Sequence, residues 1–175
     1  YFEKENYSIS EKYLLKNISQ IHQKELLGKN QLLISAIYIL QNKLEDALLL
    51  LSSEALANNE KALQLNKIIH ITESNKKKKP HLAGILSALI PGSGKIYSKN
   101  IGDGVFSFLS VIGTGYMAYL ENQRGNMDSV KFVAFGILSS TLYLGNIYGS
   151  YISSHLYNKT IQDKLLVQIK ECIEI

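Results

Sequence analysis

Apolar residues in the first 79 positions recur every three or four residues, the spacing of helices that bury one face. Tyr13, Leu14, Ile18 and Ile21 mark a first helix over Ser10–Leu27. Ahead of it, Ser8-Ile9-Ser10-Glu11 has the spacing of a capping box, in which a hydroxyl and a carboxylate satisfy each other's backbone N–H groups. Gly28-Lys29-Asn30 reads as punctuation. Gln31–Leu40 and Leu44–Leu51 follow as two helices around an Asn42-Lys43 turn. A fourth helix runs from about Asn59 to Ile71, with Ala62, Leu65 and Ile69 on its apolar face and Ile68 beside them. Helices of this length joined by short turns pack as antiparallel neighbours.

After Pro80 the pattern changes from stripes to blocks. Pro80–Gly94, Gly104–Leu120 and Phe132–Ser154 carry no charge. A bilayer core takes about 20 apolar residues as a helix, within a range of roughly 17–25. The first block is too short and is interrupted at Pro91-Gly92-Ser93-Gly94, which suits a re-entrant or interfacial helix. Gly92 and Gly94 are expected to supply the tight bend and Pro91 to end the helix before it. The second and third blocks are long enough to span, and the short polar connection Glu121–Lys131 makes them a hairpin.

Small residues fall four apart within these blocks. Ser110, Thr114 and Ala118 form one row, Thr141, Gly145, Gly149 and Ser153 another, and Gly84, Ala88 and Gly92 a third. Such rows let helix backbones approach closely in a membrane, where no hydrophobic effect drives helices together. Tyr97, Tyr116, Tyr119, Tyr151 and Tyr157 lie near the predicted ends, where the amphipathic ring prefers the headgroup zone. Tyr143 and Tyr148 lie deeper and need partners within the bundle.

Charge sharpens this division. Residues 1–79 hold 12 lysines and 9 acids, whereas residues 80–175 hold 7 basic and 6 acidic residues over a longer stretch. The net charge of +4 is mild, and Lys76–Lys79 form one run directly before the first apolar block. With Lys95 they are expected to anchor the chain at a membrane surface. Lys99, Lys159 and Lys164 fall on the same side of the hairpin, against only Arg124 and Lys131 on the other. The positive-inside rule then puts the hairpin ends and residues 1–75 in the cytoplasm of a bacterial inner membrane. The chain opens at Tyr1 rather than Met, as expected of a processed protein or a fragment, and an export signal would instead put the module in the periplasm. The tail, residues 159–175, opens on a second capping-box spacing at Thr160-Ile161-Gln162-Asp163. It then carries Ile161, Leu165, Ile169, Cys172 and Ile173 as an apolar stripe, which suits either a membrane surface or the N-terminal helices.

Little of the chain points to catalysis. Pro91-Gly92-Ser93-Gly94-Lys95 fails as a phosphate loop, because Leu89 stands where the first glycine belongs and Ile96 follows the lysine. His22, His70, His81 and His155 show no ligand spacing, and the single Cys172 excludes an intrachain disulfide or a multi-cysteine metal site. The apolar blocks carry no acid for a proton relay, and Asp103 reads as a helix cap. The lysine run lacks the aromatic interleaving of a nucleic-acid surface. No cofactor, metal or nucleic acid is therefore expected.

Two resemblances add to this reading. Gln31–Ser53 is similar to a tetratricopeptide repeat, with Ser35 and Ala47 at the small packing positions and Tyr38 at the first-helix aromatic, although Leu51 replaces the second aromatic. The helix before it then resembles the second half of a preceding repeat. Leu86–Tyr97, Gly102-Asp103-Gly104, Gly145-Asn146-Ile147-Tyr148-Gly149 and Tyr157-Asn158 together resemble a small bacterial membrane domain of the TM2 type, over about residues 79–158. Lys95 departs from the glutamine usual there. That family brings no activity with it.

The expected architecture is all-α: a tetratricopeptide-like helical module (1–75), a basic linker (76–79), a membrane domain (80–158) with one short broken helix and a two-helix transmembrane hairpin, and an amphipathic C-terminal helix (159–175). The expected function is a non-enzymatic scaffold of the bacterial envelope, with the module binding a protein partner. A small transporter or channel component, assembled as a homo-oligomer along the small-residue rows, is the competing expectation. A soluble bundle with the apolar helices as its core is the third.

Overall fold

A computed structural model describes residues 6–18, 24–124 and 129–173. Ile21 and His22 lie outside the described residues, as does part of the connection between the second and third apolar blocks. Among the described residues the chain is entirely helical: α1 (Tyr7–Ile18), α2 (Lys24–Leu40), α3 (Leu44–Leu51), α4 (Glu60–Ser74), α5 (Pro80–Leu89), α6 (Ser93–Tyr97), α7 (Ile101–Gln123) and α8 (Val130–Ile173). Two compact units divide them. One comprises residues 1–76 and 161–175, the other residues 77–160, and α8 contributes to both.

In the first unit, α2 is the central element and packs on α1, α3 and α4. Its turn into α3 closes with Asn42 in the left-handed region (φ +64°), while Lys43 N–H donates to Tyr38 O (2.8 Å) and Asn42 N–H to Ile39 O (3.0 Å). This is the helix-ending pattern that glycine or asparagine fits, because a short polar side chain tolerates positive φ. Asn59 caps α4, its side-chain oxygen accepting from Lys61 N–H (2.9 Å) and Ala62 N–H (3.3 Å). Ala62, Leu65, Ile68 and Ile69 all turn into one core with Leu32, Ala36, Ile39, Leu40, Ala47, Leu51 and Leu56. Leu165, Ile169 and Cys172 of α8 complete it, so the tail stripe packs on the N-terminal helices.

Three local expectations are overturned, two in this unit and one where α8 passes from one unit to the other. Helix α1 begins at Tyr7, which puts Ser8 inside it, and Asn6 O accepts from Ser10 N–H (3.2 Å). Glu11 does not close a capping box. It reaches the α2–α3 turn and accepts from Gln41 Nε2 (2.9 Å) and Lys43 Nζ (3.2 Å). Gly28-Lys29-Asn30 does not break a helix either. It lies within α2, where Gly28 is buried and an added Cβ would stand 3.5 Å from both Ala55 O and Leu56 Cδ2, so it is a packing glycine. Thr160 to Asp163 likewise starts no new helix, because α8 runs through them without interruption.

Ser35 and Ala47 are fully buried, and Ser35 Oγ–H bonds back to Gln31 O (2.7 Å). Tyr38 is half-buried under the Lys43 ammonium, 5.1 Å from the ring centroid. Partial burial and the Glu11 carboxylate raise its phenol above the ordinary range, against the opposing pull of Lys43. Burial also raises the Cys172 thiol, with the Lys61 ammonium working the other way. A thiol whose folded value lies above its unfolded value favours folding while neutral, and that contribution is lost as pH rises past the unfolded value. Cys172 is therefore expected to resist maleimide at pH 8 in the native chain and to react on adding denaturant. Labelling at the rate of a free thiol before unfolding would contradict its placement in the core.

The second unit turns the usual arrangement inside out. Helices α7 and α8 are both long and apolar enough to cross a bilayer. At 1.5 Å per residue α7 is roughly 35 Å long, against a hydrocarbon core of about 30 Å. Only 17% of the most apolar window of α7 and 6% of that of α8 are buried. Phe106 (73% exposed), Leu109, Ile137, Leu144 (66%) and Tyr148 (68%) face outward. Apart from Val111, what the helices bury here is small or polar: Gly104, Ser107 and Glu121 on α7, and Asn146, Ser150 and Ser154 on α8. A core helix of a water-soluble protein has the opposite distribution.

Candidate functional site

The short broken helix is the organised part of the second unit. Pro80 occupies the first turn of α5, where its missing N–H costs nothing. Helix α5 ends at Leu89, and Ile90 is extended (φ −133°, ψ 112°), as a residue before proline prefers. Gly92 then takes a left-handed conformation (φ +83°) and opens α6. Gly94 sits inside α6 rather than in the bend, and its role is close approach: an added Cβ would stand 1.9 Å from Ala83 O. Gly92 and Gly104 meet in the same way, bringing the bend against the start of α7. Lys99, again left-handed (φ +62°), closes α6 with Asn100 N–H donating to Lys95 O (2.9 Å). Asn100 caps α7 and its amide also holds Asp103 Oδ2 (2.7 Å), so Asn100, not Asp103, is the cap.

A buried polar chain fastens this bend to α8. Gly94 N–H donates to Ser87 Oγ (2.9 Å), Ser87 Oγ lies 2.6 Å from Ser150 Oγ, and Ser150 Oγ–H donates to Asn146 O (2.8 Å). The Asn146 amide grips both sides of the break. Its Oδ1 accepts from Gly92 N–H (3.1 Å) and its Nδ2 donates to Ser87 O (3.4 Å). A helix interrupted by Pro-Gly leaves backbone groups without helical partners, and Asn146 supplies them. Tyr143 Oη–H donates to Ala88 O (2.7 Å), which gives that tyrosine its partner within the bundle, while Tyr148 faces outward. Helix α7 joins α8 through Ser139 Oγ–H to Val111 O (3.2 Å).

The small-residue rows coincide with these contacts only in part, as at Gly84, Gly92 and Gly149. On α8, Thr141 and Gly145 are exposed, and the row that packs is Asn146, Ser150 and Ser154, with Gly149 and Ser153 half-buried at its edge. On α5 the buried positions are Ala83, Gly84 and Ser87, whereas Ala88 is exposed. On α7, Ser110, Thr114 and Ala118 are half-buried beside the deeper Ser107 and Val111, and Thr114 Oγ1–H bonds back to Ser110 O (2.7 Å). Asn146 was visible only as part of Gly-Asn-Ile-Tyr-Gly. A lone asparagine inside an apolar block was the signal that could have singled it out.

The basic residues split into two groups. Lys76, Lys77 and Lys79 are exposed. The backbone at Lys78 is clipped by Asn158, which accepts from Lys78 N–H (2.7 Å) and donates to Lys78 O (2.8 Å). Lys79 N–H reaches Tyr97 Oη (3.2 Å), and the Lys78 ammonium lies 4.6 Å over the Tyr97 ring. Lys99 stands over Tyr157 at 5.7 Å, and Tyr151 packs between His81 and His155 at 5.4 and 4.8 Å. Lysines and amphipathic rings thus gather at one end of the unit.

Lys95 does not join that outer group. Its stem crosses Gly149, where an added Cβ would stand 3.4 Å from Cε, and its ammonium donates inward to Ser107 Oγ (2.8 Å). No group of His, Cys, Asp and Glu among the described residues is placed to hold a metal ion. No family model, curated protein or solved structure matches this chain.

Proposed function

We propose that the chain is a membrane-anchored, non-enzymatic scaffold. Residues 77–160 lie in the bilayer as a broken helix and a two-helix hairpin of the TM2 type, and residues 1–76 form a tetratricopeptide-like module that binds a protein partner. The observation that carries the reading is the inversion of α7 and α8, apolar outside and polar within. In a bilayer, outward Phe106, Leu109, Ile137 and Leu144 meet acyl chains, and the inward Ser87, Ser150 and Asn146 bond to one another. Helix α5 reaches roughly 15 Å, half of a hydrocarbon core, which suits a re-entrant segment whose irregular backbone is covered by protein. The buried Ser35 and Ala47 support the repeat-like packing of α2 on α3. The lysine-rich end faces the cytoplasm of a bacterial inner membrane by the charge rule.

The scaffold role predicts two results from the full chain. A photoreactive residue at Leu49, exposed on α3, gives a discrete cross-linked product heavier than a self-adduct in cells. Purified protein in liposomes conducts no ions. Ion flux from the protein alone, abolished by Asn146→Leu, would overturn the scaffold in favour of a channel component.

A further inference from the structure

Lys95 stands where two clefts meet along the α7–α8 seam. The cleft toward the lysine-rich end, about 330 Å³, mixes Ser98, Asn100, Asp103 and Tyr157 with apolar Ile152 and Leu156. The other, about 230 Å³, continues toward the middle of the helices and is walled by Phe106, Val111 and Leu142 together with the uncharged Ser110, Thr141 and Asn146. Lys95 lines both. Its ammonium has three donors and uses one, on the neutral Ser107 hydroxyl. Among the described residues it makes no ion pair. Asp103 is engaged by the Asn100 amide, and the second ammonium beside the upper cleft, Lys99, lies over the Tyr157 ring. The upper cleft's lining thus holds one cation, Lys95, and one anion, Asp103, which are not paired with each other. A half-buried cation without a counter-ion is costly, and an anion that fills its remaining donors relieves that cost.

We propose that this seam binds one phospholipid of the surrounding bilayer, with the headgroup phosphate on Lys95 and one acyl chain in the apolar cleft below. The charged side chains gather in the upper cleft, which Lys95 and Asp103 both line, and beyond Lys95 the lower cleft is uncharged. Basic pockets between membrane helices recognise anionic headgroups in this way. The bare Cα of Gly149 leaves room for the lysine stem, and the bare Cα of Gly145 opens the lower cleft, where an added Cβ meets nothing within 4 Å. The site rests on the bilayer placement proposed above.

The test is native mass spectrometry of the full chain, released from detergent supplemented with phosphatidylglycerol. The wild-type chain is expected to keep one lipid after the detergent shell is stripped. Lys95→Met should lower the retained fraction about tenfold or more, the scale of losing one charge-assisted hydrogen bond. Lys95→Arg should keep it. Gly145→Trp, which fills the lower cleft from an exposed position while leaving Lys95 in place, should lose it as well, so the proposal does not depend on how one variant folds. Equal retention by the wild-type chain, Lys95→Met and Gly145→Trp would overturn the site. Displacement of the lipid by inorganic phosphate alone would also overturn it, in favour of a free-anion site. Failure of the wild-type chain to enter detergent micelles or vesicles would refute the bilayer placement instead, and that result is distinct from loss of lipid by a chain that does enter them.

Discussion

Asn146→Leu is expected to destabilise the unit formed by residues 77–160 by about 2–4 kcal/mol, the scale of leaving two buried backbone groups unpaired. The leucine is close in size, so the cavity term is small, and the effect isolates hydrogen bonding. It strands Gly92 N–H and Ser87 O at the one place where the helix ladder is already broken. In a low-dielectric surround no water replaces the lost partners. Thermal unfolding in detergent, followed by tyrosine fluorescence, measures the loss. Thr141→Leu is the control, since Thr141 is exposed, its hydroxyl bonds only to Ile137 O of its own helix, and it should shift the midpoint little. Equal midpoints for the two variants would show that Asn146 does not hold the bend.

A second substitution pair should do more. Gly92→Ala places a Cβ 2.0 Å from Gly104 O at φ +83°, and Gly94→Ala places one 1.9 Å from Ala83 O. In both cases the obstacle is backbone, which cannot rotate away as a side chain tip can. Positive φ adds roughly 1–2 kcal/mol for an alanine at position 92. With the overlap, each change is expected to cost about 4 kcal/mol or more and to abolish recovery of folded protein. Gly102, Gly113 and Gly136 serve as controls, because a Cβ there meets nothing within 4 Å. Alanine at those helical positions should leave the midpoint unchanged or raise it, by at most about 1 kcal/mol each. Normal yields of Gly92→Ala and Gly94→Ala would mean that α5, α6 and α7 are not packed backbone to backbone.

The sequence revealed period better than register. The stripe of Ala62, Leu65 and Ile69, the tail stripe ending at Ile173, the Asn42-Lys43 turn and the interruption at Pro91-Gly92 were all legible, because each depends on local spacing or on backbone angles. The four-residue rows were legible as rows and only in part as contacts: Gly84, Gly92 and Gly149 pack, whereas Ala88, Thr141 and Gly145 are exposed. Thr141-Gly145-Gly149-Ser153 and Asn146-Ser150-Ser154 share one period and differ by a single step around the helix. Only the approach of α5 and α7 selects between them. The glycines misled in both directions for the same reason: Gly28 reads as a breaker and is a packing surface, and Gly94 reads as part of a turn and is a point of helix contact. The capping-box spacing at Ser8 failed because α1 already begins at Tyr7, and that at Thr160 failed because α8 runs through it from the apolar block into the tail stripe. Lys95 looked like its neighbours in the lysine-rich flank, and nothing local could show that Ser107 and Gly149, distant in sequence, would turn it inward.

What most directly tests the account is whether the inverted surface of α7 and α8 meets lipid. Holding half a dozen large apolar side chains in water rather than in acyl chains costs on the order of 10 kcal/mol, which a monomer of this size does not sustain. Cell membranes carrying the full chain should be washed with alkaline carbonate and then extracted with a mild detergent. The account predicts that the protein stays in the pellet through the wash and is released, folded and monodisperse, only by the detergent. Recovery of folded, monodisperse protein in the soluble fraction before any detergent is added would contradict it.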